Sequence, residues 1–117
     1  MNTPTTAVTR DSRNGIRALS RIELGFDRRV LRIETSKGYP RGVRCDAMVV
    51  QETDHGFSHA FGLDGGGDYR KTLVKERDAR ATHKTIETIH ARGLAQLDAI
   101  IIEALAHYHQ PAPAEAT

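Results

Sequence analysis

The stretch that decides the fold is Ile16-Arg17-Ala18-Leu19-Ser20-Arg21-Ile22-Glu23-Leu24-Gly25-Phe26. Ile16, Ala18, Ile22, Leu24 and Phe26 take every second position, with only Ser20 out of type, and Arg17, Arg21 and Glu23 stand between them. Period two means a strand with one buried face. From Ile86 the spacing changes to three and four, through Ile89, Gly93, Leu97, Ile101, Leu105 and Tyr108. That is the stripe of a helix with one buried side. The chain therefore reads as sheet first and helix last.

Working outward, Asp27-Arg28 is a turn, and Val30 to Thr35 alternates again to complete a hairpin. Gly38, Pro40 and Gly42 mark a loop, and a third strand, apolar on both faces, runs from about Val43 to Glu52. After the turn at Thr53 to Gly56, a fourth strand is expected over Phe57 to Leu63. Asp64-Gly65-Gly66-Gly67 breaks the pattern, with Asp68 as a helix cap, and Tyr69 to Lys75 fits either a short helix or a fifth strand. The helix is expected from about Asp78 to His109, ending before Pro111. The fold class is α+β: an antiparallel sheet of about four strands packed against one long C-terminal helix.

The chain has 117 residues, which allows one domain, placed at 15–109. Residues 1–14 and 110–117 show no periodicity and read as disordered tails. Some thirty helical residues span roughly 45 Å, whereas eight-residue strands span about 26 Å. Such a helix must bend or break, overhang the sheet, or meet a second chain. Gly93 lies on the stripe, where close approach to a strand or to a symmetry-related helix is possible, so Gly93, Leu97 and Ile101 form a candidate helix interface in a possible homodimer.

The single Cys45 excludes an internal disulfide framework and a multi-cysteine zinc site. No apolar stretch near the N-terminus suggests a signal peptide, and Gln96, Asp98 and Glu103 interrupt the densest apolar region. The expectation is a cytoplasmic protein that does not enter a membrane. The net charge of +2 hides an asymmetry. Residues 1–50 hold ten Arg and Lys against five Asp and Glu, and residues 51–117 hold seven against ten. A basic sheet half hints at an acidic protein partner or a nucleic acid. The candidate binding residues are Arg17, Arg21, Arg32, Lys37, Arg41 and Arg44. Single-strand recognition usually adds exposed aromatics; only Tyr39 is placed in this basic region, and Glu23, Glu34 and Asp46 stand ready to pair with the arginines.

Catalytic patterns fit poorly. Gly56-Phe57-Ser58-His59-Ala60 has the outline of a hydrolase elbow, but Ser58 falls inside an alternating strand of a small domain. The glycine loop at 64–67 has no Lys-Ser or Lys-Thr to complete a phosphate loop, and its aspartates would repel an anion. His55 and His59 straddle a turn, His83 and His90 share a helix side, and His107 and His109 flank Tyr108, without the His-Glu-x-x-His spacing of a helical zinc site. Cys45, between Val43 and Ala47, reads as a small buried hydrophobe. No catalytic residue, metal site or cofactor is assigned. The expected function is that of a small binding or regulatory protein. Its size and architecture suit the accessory proteins of phages and plasmids, among them inhibitors of host defence complexes such as anti-CRISPR proteins. The alternatives are a nucleic-acid-binding protein using the arginine-rich sheet face, and a small hydrolase or metal enzyme around Ser58 and His59.

Overall fold

In the computed structural model, the described residues are 5–11, 15–38, 40–58 and 67–112. Six antiparallel strands precede two helices: β1 (Thr5–Asp11), β2 (Gly15–Glu23), β3 (Arg29–Lys37), β4 (Val43–Thr53), β5 (Gly56–Ser58), β6 (Arg70–Glu76), α1 (His83–Leu94) and α2 (Leu97–His107). The strand order is β1-β2-β3-β4-β5, with β6 also on β4. The α+β class and the antiparallel sheet stand. Among the described residues the expected four or so strands are six, and the expected single helix is two.

β5 and β6 lie end to end along one edge of β4. Ser58 faces Gln51, and Arg70 faces Met48. The two strands thus share one edge of β4, and the Val49 amide donates to the Tyr69 carbonyl at 2.9 Å just before β6. The strand reading of Tyr69 to Lys75 is the one the chain adopts. Of the strand expected over Phe57 to Leu63, Gly56–Ser58 is strand, and residues 59–63 lie outside the described residues. So do Tyr39 and the glycine-loop positions 64–66.

Thr5–Asp11, expected as part of a tail, is a strand that pairs residue for residue with β2. Its threonines and Val8 are β-branched and favour the extended backbone, and Thr6 Oγ1 lies 2.7 Å from Ser20 Oγ. The β2–β3 turn is tight. Arg29 N donates to Phe26 O at 2.8 Å, and both central residues, Asp27 (φ 47°) and Arg28 (φ 57°), are left-handed. They form the tip of a four-residue loop, Gly25 to Arg28, since Leu24 N donates to Arg29 O at 3.0 Å just beyond the Glu23–Val30 pair.

α1 crosses one face of the sheet and contacts β2, β3, β4 and β6. It begins at Thr82, whose side-chain oxygen accepts from Thr85 N, so the helix starts later than Asp78. Ile86 and Ile89 are buried in one cluster with Ile16, Ala18, Leu31, Ile33, Cys45 and Ala47, and Gly93 is buried beside Cys45. At Gly93 a Cβ would overlap Cys45 Sγ, so the glycine allows α1 to touch β4. The chain then leaves the helical path at Gln96 (φ −95°, ψ 4°). Gln96 N donates to Gly93 O at 3.0 Å, and Gln96 Nε2 donates to Leu73 O of β6 at 3.1 Å. This break resolves the mismatch between helix and sheet length. α2 turns over the end of the sheet and brings Ile100, Ile101, Ala104 and Leu105 into the core.

A candidate binding face

The helices cover the sheet face that carries Ile16, Ala18 and Ile22. The alternating positions of β2 to β4 build the opposite, helix-free face: Arg17, Leu19, Arg21 and Glu23; Val30, Arg32 and Glu34; Arg44, Asp46, Met48, Val50 and Glu52. The sequence-predicted cations Arg17, Arg21, Arg32 and Arg44 are thus brought together on three adjacent strands.

Their charges are largely answered within the face. Arg17 Nη1 lies 3.4 Å from Glu34 Oε1. Arg21 Nε donates to Glu52 Oε2 at 3.0 Å, its Nη2 binds the other Glu52 oxygen, and Nη2 also reaches Glu23 at 3.3 Å. Those bonds raise the Arg21 pKa and hold the Glu52 carboxyl below its ordinary range, chiefly through the Arg21–Glu52 hydrogen bonds. Arg44 Nη2 donates to Asp46 Oδ1 at 3.0 Å and to Thr72 Oγ1 at 2.9 Å. On β2 to β4 three arginines, Arg17, Arg21 and Arg44, thus pair with four carboxylates, Glu23, Glu34, Asp46 and Glu52. The helix-free positions of β6 add the cations Arg70 and Lys75.

Arg32 differs. Among the described residues it makes no direct ion pair, although its charge helps to lower the Glu52 pKa; its guanidinium lies 4.3 Å over the Phe57 ring. Its Nε is buried without a hydrogen-bond partner. Phe57 is 52% exposed, and β5 places it opposite Glu52. Arg32 is also directly opposite Arg21 on one side and Met48 on the other. The centre of the face is therefore a cation stacked on an exposed aromatic ring. Phe57 is the part of this site that sequence reasoning missed.

The other predicted residues lie apart. Lys37 is exposed at the end of β3, and Arg41 is exposed with Asp78 at 3.4 Å. Gly93 and Ile101 are buried within the chain's own core, and Leu97 packs against it. The helix stripe thus faces its own sheet.

A Ser–His pair occurs where no motif announced it. His90 Nε2 lies 2.7 Å from Ser20 Oγ, and Nδ1 lies 2.7 Å from Thr35 Oγ1. A base held by a third group next to a hydroxyl is the outline of an activated nucleophile. Here Ser20 and Thr35 are fully buried and His90 is 3% exposed, so no substrate reaches it. Burial lowers the His90 pKa and favours a neutral ring, which can donate at one nitrogen and accept at the other. The sequence signal was Ser20 itself, the polar residue in an apolar row. Cys45 is buried, and burial pushes its thiol pKa up. The side chain of Ser58 and all of His59 lie outside the described residues.

A second polar cluster locks α2 to the end of the sheet. Asp68 Oδ1 accepts from Arg29 Nη1 at 2.8 Å and from Tyr108 OH at 3.0 Å. Tyr69 OH donates to Glu103 at 3.0 Å, and Lys71 reaches the same carboxylate at 3.1 Å. Burial is the main cause that pushes Tyr108 up to about 12. Beside the cluster, Leu24, Phe26, Ile101 and Leu105 help line a cavity of about 300 Å³. Among the described residues no group of three ligating side chains could hold a metal ion, and no helix is long and apolar enough to cross a membrane. Comparison with family models, curated proteins and solved structures gave no match.

Proposed function

We propose that the chain is a small binding protein that engages another protein through the helix-free face, with Arg32 and Phe57 at the centre of contact. The carrying observation is the Arg32 guanidinium stacked over a half-exposed phenyl ring. Arginine and aromatic residues are enriched among the side chains that dominate binding energy. Leu19 and Met48, both partly exposed, extend the centre, and the paired charges of Arg17, Arg21 and Arg44 form a polar surround. Interfaces are commonly built this way, apolar inside and polar at the rim. Arginines already bound to carboxylates have less to offer a phosphate backbone, which favours a protein over a nucleic acid. The sealed Ser20–His90 pair argues against hydrolysis at that site. Within this class, the specific role proposed is inhibition of a host complex, such as a defence complex, by a phage- or plasmid-encoded protein.

The test is a pull-down from host lysate, with and without nuclease, using wild type, Arg32→Ala and Phe57→Ala. Phe57 is exposed and Arg32 partly buried, both outside the apolar core, and a thermal melt of each variant establishes that it is folded. Nuclease-resistant capture of a defined complex, lost in both variants, is expected. Nuclease-sensitive capture would transfer the face to nucleic acid, and equal capture by folded variants would remove Arg32 and Phe57 from the site.

A further inference from the structure

β1 ends the strand order, so one of its edges faces no other described strand. Such an edge carries a row of backbone donors and acceptors ready to pair with another chain. Proteins usually blunt it with a lysine, a proline or a bulge. Thr5 to Thr9 has no charge and no proline, and β1 keeps register with β2 over its whole length without a bulge. Val8, at the midpoint of β1, is 40% exposed. It shares the helix side of the sheet with Ala18, its partner on β2, yet stays open to solvent.

We infer that β1 is a dimerisation edge, pairing antiparallel with β1 of a second copy about a two-fold axis at Val8. Self-complementarity identifies the occupant. A two-fold axis perpendicular to the sheet keeps each side chain on its own face, while antiparallel partners must share a face. The axis must therefore pass a residue position and not a gap between residues. Only Val8, the midpoint, lets all seven residues of β1 pair. Val8 then meets Val8, Ala7 meets Thr9, Thr6 meets Arg10 and Thr5 meets Asp11. No like charges are opposed, and the exposed valine is covered by its own copy. Other centres pair fewer residues and leave Val8 without its match.

The dimer is one continuous sheet with all four helices on one side and both helix-free faces on the other. Seven paired residues span only about 23 Å, so the contact is small and the dimer weak and concentration-dependent. The inference stands independently of the binding reading above, since it rests on β1 alone.

Sedimentation velocity from micromolar to millimolar protein tests it. Wild type should pass from monomer to dimer. Val8→Lys and Val8→Asp should each stay monomeric, because like charges meet at the axis, and an equal mixture should form a heterodimer. Hydrogen exchange on wild type supplies a readout that needs no variant: protection should rise with concentration at Thr5–Asp11 and not at β6. A wild type that stays monomeric, a dimer untouched by Val8→Lys, a mixture of folded variants that fails to associate, or concentration-dependent protection centred elsewhere would each overturn it.

Discussion

Gly93→Ala tests how α1 sits on the sheet. Helix propensity alone favours the change by up to roughly 1 kcal/mol, and by less here because Gly93 stands in the last turn of α1. The structure opposes it. A Cβ at Gly93 would overlap Cys45 Sγ. That sulfur cannot swing away easily, because Cys45 is fully buried in β4. Overpacking of this kind costs about 1–3 kcal/mol, so a net loss of about 1–2 kcal/mol is expected. For a domain of about 100 residues, each kcal/mol shifts Tm by roughly 4–8 °C. Cys45→Ala is the second arm of the cycle. Alone it leaves a small void and costs about 1 kcal/mol. With Gly93→Ala, the new methyl meets the residue 45 Cβ at 3.5 Å and Leu73 Cδ1 at 3.6 Å, which are ordinary contacts. The double variant should therefore be more stable than Gly93→Ala, with a coupling of about 2 kcal/mol between the sites. Urea denaturation of all four proteins measures this. If Gly93→Ala is stabilised as propensity alone dictates, and the two changes add, α1 does not rest on β4 at Gly93.

Two further outcomes follow from buried and strained positions. His90 is held below the ordinary imidazole value of 6.5 by burial, so as pH falls through 6.5 the unfolded chain takes up a proton before the folded one. Stability from this group is therefore flat above that value and falls below it, with a slope of up to about 1.4 kcal/mol per pH unit until the folded ring also protonates; in denaturation series, the slope difference between wild type and His90→Gln should show it, and superimposable slopes would contradict a neutral buried His90. Arg28 is left-handed at φ 57°, a conformation that costs a non-glycine residue about 1 kcal/mol, whereas its ion pair with the exposed Asp54 is worth little. Arg28→Gly should raise Tm by a few degrees, and a lower Tm would mean that the Arg28 side chain holds the hairpin.

The parts of the fold legible in sequence are those where each strand or helix buries one side against a large apolar neighbour. β2 shows it most clearly, with Ile16, Ala18 and Ile22 all buried. β1 gave no such signal, because its side chains are small or polar and Val8 is exposed; its stability comes from main-chain pairing and a Thr6–Ser20 hydrogen bond. The stripe through Gly93, Leu97 and Ile101 was legible as a stripe, but the break between α1 and α2 was not. Gln96 is an ordinary helix residue by propensity, and its bond to Leu73 O joins positions far apart in the chain. The Ser20–His90–Thr35 contacts were hidden for the same reason.

The helix-free face shows why charge composition alone misleads about binding. From sequence, Arg17, Arg21, Arg32 and Arg44 are a basic cluster. In the sheet, Arg21 and Arg32 stand directly opposite each other, a pairing that is unfavourable unless each charge is answered. The two answers differ in kind. Arg21 is met by Glu52, thirty-one residues along the chain, and is thereby neutralised. Arg32 is met by the Phe57 ring, which attracts the cation without supplying an opposite charge or an acceptor for its in-plane N–H groups. Arg32 thus keeps its formal charge while its guanidinium rests over the ring. A partner that offers a carboxylate or backbone carbonyl would supply the guanidinium with the acceptor that the ring does not. The basic cluster of the sequence reduces in three dimensions to this one stacked pair, and it is there that substitutions should separate binding from folding.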